Sequence, residues 1–143
     1  MALARNISAR QAATYYEKDD YYTRDRSPSE WHGSGARALG LEGAVDRQVF
    51  AGLVQGRIPD GPALHHGGGP RRAGTDFEFS APKSCSIQAL VNDDTRLIDV
   101  HKSAVAIARE RIEATVATRV TKHRETRVEF TRSAVIAQFE HAT

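Results

Sequence analysis

At 143 residues, 40% of them hydrophobic and 27% charged, the chain is long enough to bury one domain core and is neither fibrous nor disordered in composition. Twenty Lys and Arg against eighteen Asp and Glu leave a formal charge of +2, too small for a generic polyanion binder, so any nucleic-acid contact must come from local placement of charge. A single cysteine, Cys85, excludes an internal disulfide and a CxxC metal site; no signal-peptide pattern occupies Met1–Ser8, no run reaches the roughly 20 apolar residues of a membrane span, and a cytoplasmic location is expected.

Ala2–Ile7 reads as a first strand. Ser8 followed by Gln11 forms a capping box for a helix over 9–17. Asp19, Asp20 and the stretch Asp25–Ser29 break that helix, and a polar loop leads to Trp31 and the Gly33/Gly35 pair. Gly35–Leu41 is expected to be a helical turn. Val45–Gln55 spaces Val45, Val49 and Leu53 along one helical face beside Phe50, with Gly56 as the stop. The Gly- and Pro-rich stretch 56–74, which holds His65 and His66, predicts a loop. Phe77 and Phe79 alternate with Asp76, Glu78 and Ser80, the period of a strand that Pro82 ends.

Ser84–Val91 has no decisive period. Asp94 caps a helix over about 95–118, with Leu97, Ile98, His101, Val105, Ala108, Ile112 and Val116 at helical spacing and Arg96, Lys102, Arg109 and Glu113 directed to water. Alternation in Arg127–Thr131 and Ala134–Phe139 predicts two strands joined around Arg132–Ser133. The fold class is α+β, an antiparallel sheet with helices packed on it.

Four segments carry a resemblance: Tyr15-Tyr16-Glu17-Lys18-Asp19-Asp20-Tyr21-Tyr22; Trp31-His32-Gly33-Ser34-Gly35-Ala36 with Leu39-Gly40-Leu41-Glu42-Gly43; Arg72 through Ser84; and Phe139-Glu140-His141-Ala142-Thr143. In this order they resemble the relaxase domain of the MobF conjugative relaxases (TrwC/TraI-like), which belong to the HUH endonucleases. The resemblance implies that residues 1–143 are the N-terminal part of such a domain, incomplete at the C-terminal side and without the family's helicase domain. It implies site- and strand-specific nicking of single-stranded DNA at a plasmid transfer origin, through a 5′-phosphotyrosine. Tyr15 would cut first and Tyr21 act second, with Tyr16 and Tyr22 in support. A divalent metal ion, Mg²⁺ or Mn²⁺, would serve as cofactor, with His141 as one ligand. Relaxosome and conjugation proteins would be partners beside the origin DNA.

The departures bear on activity. Two further metal ligands of the family come from an H-x-H pair, which occurs nowhere in this sequence. Cys85 stands where the family usually has Val, and Glu78 where Thr is common. The 143 residues alone are therefore expected to be inactive. The alternative to a nickase fragment is a non-catalytic DNA-binding fragment or a decayed gene product.

Each candidate also has an ordinary structural explanation. Tyrosines at helical spacing often pack in a core, and a lone His141 is one ligand, not a site. Asp76 is the candidate carboxylate, either orienting a metal-binding histidine or taking the tyrosine proton, although an Asp in a strand commonly just faces solvent. Glu78, two residues on, should share its face. DNA contacts are expected from Arg71, Arg72, Lys83 and the run Arg119, Lys122, Arg124, Arg127 and Arg132, with Trp31 stacking on an unpaired base. Glu125 and Glu129 interrupt that run, which equally suits a solvated hairpin face. His65 and His66 are adjacent, a poor arrangement for one ion, and are read as loop.

Overall fold

The computed structural model describes residues 1–11, 28–64, 72–92 and 94–140. Strands β1 (Ala2–Ser8), β2 (Ser29–His32), β3 (Arg72–Phe79), β4 (Ala117–Lys122), β5 (Glu125–Phe130) and β6 (Ile136–Phe139) combine with helices α1 (Ser34–Ala38), α2 (Arg47–Val54), α3 (Lys83–Val91) and α4 (Thr95–Ala114). The expected α+β class holds. Instead of one sheet, the described strands form three antiparallel pairs: β1–β3, β2–β6 and β4–β5.

Local chemistry sets most of these boundaries. Ser8 and Gln11 form the expected capping box: Gln11 N–H donates to Ser8 Oγ at 3.1 Å and Ser8 N–H to Gln11 Oε1 at 3.0 Å. The rest of the helix expected over 9–17 lies outside the described residues. Asp46 caps α2 by accepting from Gln48 and Val49 N–H at 2.9 Å, and Gly56, at φ 79°, ends that region in the left-handed conformation. Asp94 caps α4, accepting from Arg96 N–H at 3.3 Å.

Four readings are corrected. The segment before Trp31 is a strand, β2, not a loop, and its four residues are too few to show a period. Ser84–Val91 belongs to a helix that starts at Lys83, after Pro82. Helix α4 stops at Ala114 because Ala117–Lys122 pairs with Glu125–Phe130; the hairpin turns at His123 and Arg124, both at positive φ (51° and 69°), the backbone of a type I′ turn. The two strands joined around Arg132–Ser133 do not pair with each other, since β5 pairs with β4 and β6 with β2.

The core of the described residues is small. Trp31, Ala36 and Ala89 are its buried apolar residues. Trp31 lies 6.2 Å, centroid to centroid, from Phe50 on α2, and Phe50 meets Phe139 on β6 edge-on at 5.6 Å. Ser29, Trp31, Ala137 and Phe139 thus form the aromatic face of β2–β6, while Glu30, His32, Ile136 and Gln138 form the other.

Two glycines next to Trp31 are dictated by close approach. Gly35 N–H donates to the Ala134 carbonyl at 2.9 Å, and a Cβ on Gly35 would sit 2.7 Å from that oxygen. A Cβ on Gly33 would overlap the same oxygen, and Gly33 also has φ 96°. Gly40 has φ 69° but nothing within 4 Å of its would-be Cβ. Gly33→Ala should therefore cost about 2–4 kcal/mol, combining overpacking with left-handed strain, and Gly40→Ala only about 1–2 kcal/mol. Urea denaturation of the two variants checks the ranking; equal losses would refute it.

Candidate active site

Asp76 sits near the middle of β3, directly opposite Arg5 on β1. Cross-strand partners share a face, so Leu3, Arg5 and Ile7 lie with Glu78, Asp76 and Gly74. The expectation that Glu78 shares the face of Asp76 follows from that register. Arg5 Nε donates to Asp76 Oδ2 at 2.9 Å, and Nη2 lies at ion-pair distance, 2.9 Å, from the same oxygen. Among the described residues Asp76 Oδ1 accepts no hydrogen bond. The Asp76 side chain is 25% exposed and that of Arg5 50% exposed.

Arg72 opens β3, past an irregularity in the ladder between Ile7 and Ser8, and its Nη1 donates to Asn6 Oδ1 at 3.3 Å. Lys83 is exposed in the first turn of α3. Both cations bracket the strand that carries Asp76. Cys85 is a half-buried free thiol on α3. Tyr15, Tyr16, Tyr21, Tyr22, Arg71, His65, His66 and His141 lie outside the described residues.

Trp31 does not suit the role of a base-stacking platform. It is 6% exposed and its ring packs beside Phe50, leaving no open face for a nucleobase. The basic run divides by register. Lys122 and Arg127 share a hairpin face with Glu125 and Glu129, and Arg127 forms an ion pair with Glu129; Arg119 lies on the opposite face with Val128 and Phe130. The first of these faces is a mixed-charge solvated surface.

Arg109 and Glu113, expected to face water, are both half-buried and turned inward. Lys102, Arg109 and Glu113 follow one stripe of α4 and meet the β6 segment in reverse order: Lys102 Nζ pairs with Glu140 at 3.0 Å, Arg109 Nη1 donates to Gln138 Oε1 at 2.6 Å, and Glu113 Oε1 accepts from Ala134 N–H at 3.1 Å. The same Glu113 oxygen accepts from Ser34 N–H at 2.6 Å and Ser34 Oγ at 2.8 Å. Burial alone would raise the Glu113 pKa, but these hydrogen bonds from Ser34 and Ala134, with Arg37 nearby, outweigh it and hold the carboxyl below its usual range.

His32 Nε2 is buried and makes no hydrogen bond among the described residues, although Glu30 Oε2 lies 3.3 Å away. Burial, then the Arg109 guanidinium, push its pKa below the usual histidine value against the opposite pull of Glu30. His32 and Asp76 stand on different strand pairs. Among the described residues no three His, Cys, Asp or Glu side chains converge as a metal ion requires, so these residues do not by themselves fit the ion that the resemblance implies. Nor is any described helix long and apolar enough to cross a membrane.

Glu113 and Arg5 were missed from sequence. The stripe of Lys102, Arg109 and Glu113 was visible as spacing, but the partners that turn Arg109 and Glu113 inward are remote in the chain. A carboxylate whose folded pKa is depressed stabilises the protein above its unfolded pKa and loses that contribution as pH falls. Glu113→Gln should lower stability by about 1.5–3 kcal/mol at pH 7 and flatten the acid limb of stability below about pH 4.3. Chemical denaturation between pH 3 and 7 tests this, and parallel wild-type and variant curves would contradict it.

The TrwC relaxase family profile matches residues 9–143. The multifunctional conjugation protein TraI of Escherichia coli K12 is 42% identical over 147 aligned positions, which cover all of this chain and 8% of TraI. A copper-bound structure of the conjugative relaxase TrwC in complex with oriT DNA is 40% identical, with a TM-score of 0.82 over the whole chain and 52% of the solved TrwC chain. A TrwC structure with a 27-mer DNA comprising the recognition hairpin and the cleavage site is 36% identical, with a TM-score of 0.80 over the whole chain and 50% of that solved chain. The chain thus spans about half of the solved relaxase chains it matches and a small part of TraI.

Proposed function

Because the chain belongs to the TrwC relaxase family, we propose that it forms the N-terminal part of a relaxase domain that nicks one DNA strand at a plasmid transfer origin. The observation that carries this reading is similarity over the whole chain to a relaxase solved with oriT DNA. Apolar residues left open on several elements, among them Leu3, Phe77, Ile87, Leu90, Val91 and Phe130, support a domain in which further chain packs on them. Single-stranded origin DNA in the cytoplasm is the proposed substrate, with conjugation proteins as partners.

In this reading the Tyr15 phenolic oxygen attacks the scissile phosphorus and the bond from phosphorus to the 3′ oxygen breaks. The products are a 5′-phosphotyrosine and a 3′-hydroxyl; the phenol proton passes to a base, and the departing oxygen takes up a proton. The ester retains the energy of the broken bond, so the 3′-hydroxyl can reverse the step without ATP. Tyr21 is assigned to a second strand transfer, with Tyr16 and Tyr22 beside them. A phenol normally titrates near 10, so a base is needed near neutral pH, and Asp76 is assigned either to that role or to orienting a metal-binding histidine. Arg72 and Lys83 are assigned to backbone phosphates. His141 is the ligand this chain would contribute to a divalent ion, Mg²⁺ or Mn²⁺, whose chemistry when bound is to polarise the scissile phosphate.

In the complete relaxase, Tyr15→Phe should abolish the covalent adduct with single-stranded origin DNA, and Tyr21→Phe should retain it. Adduct formation by Tyr15→Phe at the wild-type level would refute the assignment. Asp76→Asn should slow adduct formation by about 10–100-fold, with the fold intact. The gel-resolved adduct yield, read beside the circular dichroism spectrum, decides this, and an undiminished rate would remove Asp76 from the mechanism.

A further inference from the structure

We propose that Arg5 is the positioning residue of the candidate carboxylate, fixing Asp76 by one oxygen so that the other is presented to the reacting groups. This inference rests on the assignment of Asp76 given above. Arg5 stands opposite Asp76 in a regular part of the β1–β3 ladder, and its Nε hydrogen bond and Nη2 ion-pair contact with that carboxylate, each at 2.9 Å, both fall on Oδ2. A carboxylate rotates freely about its χ2 bond unless something holds it. A directed Nε–H hydrogen bond, with Nη2 of the same rigid fork beside it, holds one oxygen against that rotation and leaves Oδ1 without a hydrogen bond among the described residues. A lysine would supply the charge as a point donor without the fork.

The alternative explanations predict different behaviour. As a purely structural link the pair would matter little, because an ion pair with a half-exposed Arg contributes at most about 1 kcal/mol to stability. As a direct phosphate contact, Arg5 would act on DNA affinity and independently of Asp76.

The test uses the complete relaxase and single-turnover adduct formation on saturating origin DNA, with DNA affinity and melting temperature measured in parallel. Arg5→Gln should slow the covalent step by about 10-fold, the lower end of the usual cost of losing an orienting partner. DNA affinity and melting temperature should stay near wild type. Arg5→Lys should recover part of the rate. In the Asp76→Asn background, Arg5→Gln should have no further effect, because residues acting through one group are not additive. A wild-type rate for Arg5→Gln beside a slow Asp76→Asn would overturn the inference and leave the Asp76 assignment standing. An equal loss from Arg5→Gln in both backgrounds, or a loss confined to DNA affinity, would also overturn it and make Arg5 a DNA contact. A wild-type rate for Asp76→Asn would remove both.

Discussion

The Glu113 carboxylate is the constraint on which the β2–β6 region depends. A single oxygen, Oε1, accepts from the backbone and side chain of Ser34 and from the backbone of Ala134, joining the end of α4, the start of α1 and the approach to β6. Hydrogen bonds to an ionised acceptor are stronger than neutral ones, and three on one atom specify its position closely. For both backbones to reach that oxygen they must nearly touch. This is why Gly33 and Gly35, which lie against the Ala134 carbonyl, have no room for a side chain. Trp31, two residues before Gly33, is thereby delivered to the aromatic face of β2–β6.

The antiparallel meeting of α4 with the β6 segment extends the same clamp. Lys102, Arg109 and Glu113 each find a partner there, so the polar side of β2–β6 is held by charged and amide groups while its other side is packed by Phe50. Other charges are paired too, Arg96 with Asp94 and Arg127 with Glu129 close in sequence, and Arg5 with Asp76 across the β1–β3 ladder. A near-balanced composition is the expected result when many cations are paired with carboxylates. The small formal charge therefore says little about DNA binding, which depends on the cations that remain.

Local signals were readable and non-local ones were not. The Ser8–Gln11 box, the Asp94 cap, the stop at Gly56 and the alternation around Phe77 depend on neighbours in sequence and appear where expected. Strand β2 gave no signal because its four residues are too few to show a period. Val116 continues the helical spacing of α4, yet the gain from pairing β4 with β5 ends the helix earlier, an instance of tertiary pairing overriding a local period. The same reasoning applies to Trp31 and its glycines. A motif can stand out for the packing it serves, and burial of the ring is what separates that role from base stacking.

Asp76 shows the complementary case, in which the residue was recognisable and its surroundings were not. Alternation places Asp76 and Glu78 on one face of a strand but cannot say what lies across from them. That depends on register, and slipping β1 by one residue would turn Arg5 to the opposite face and bring Ala4 or Asn6 to its place. The ladder from Ala2↔Phe79 to Ile7↔Gly74 is regular, and its irregularity falls after Ile7, beyond the Arg5–Asp76 pair. Backbone pairing on both sides, and not the ion pair itself, is thus what brings the guanidinium to the carboxylate. A half-exposed pair held by its backbone in this way adds little to stability, which leaves orientation as the property it can supply.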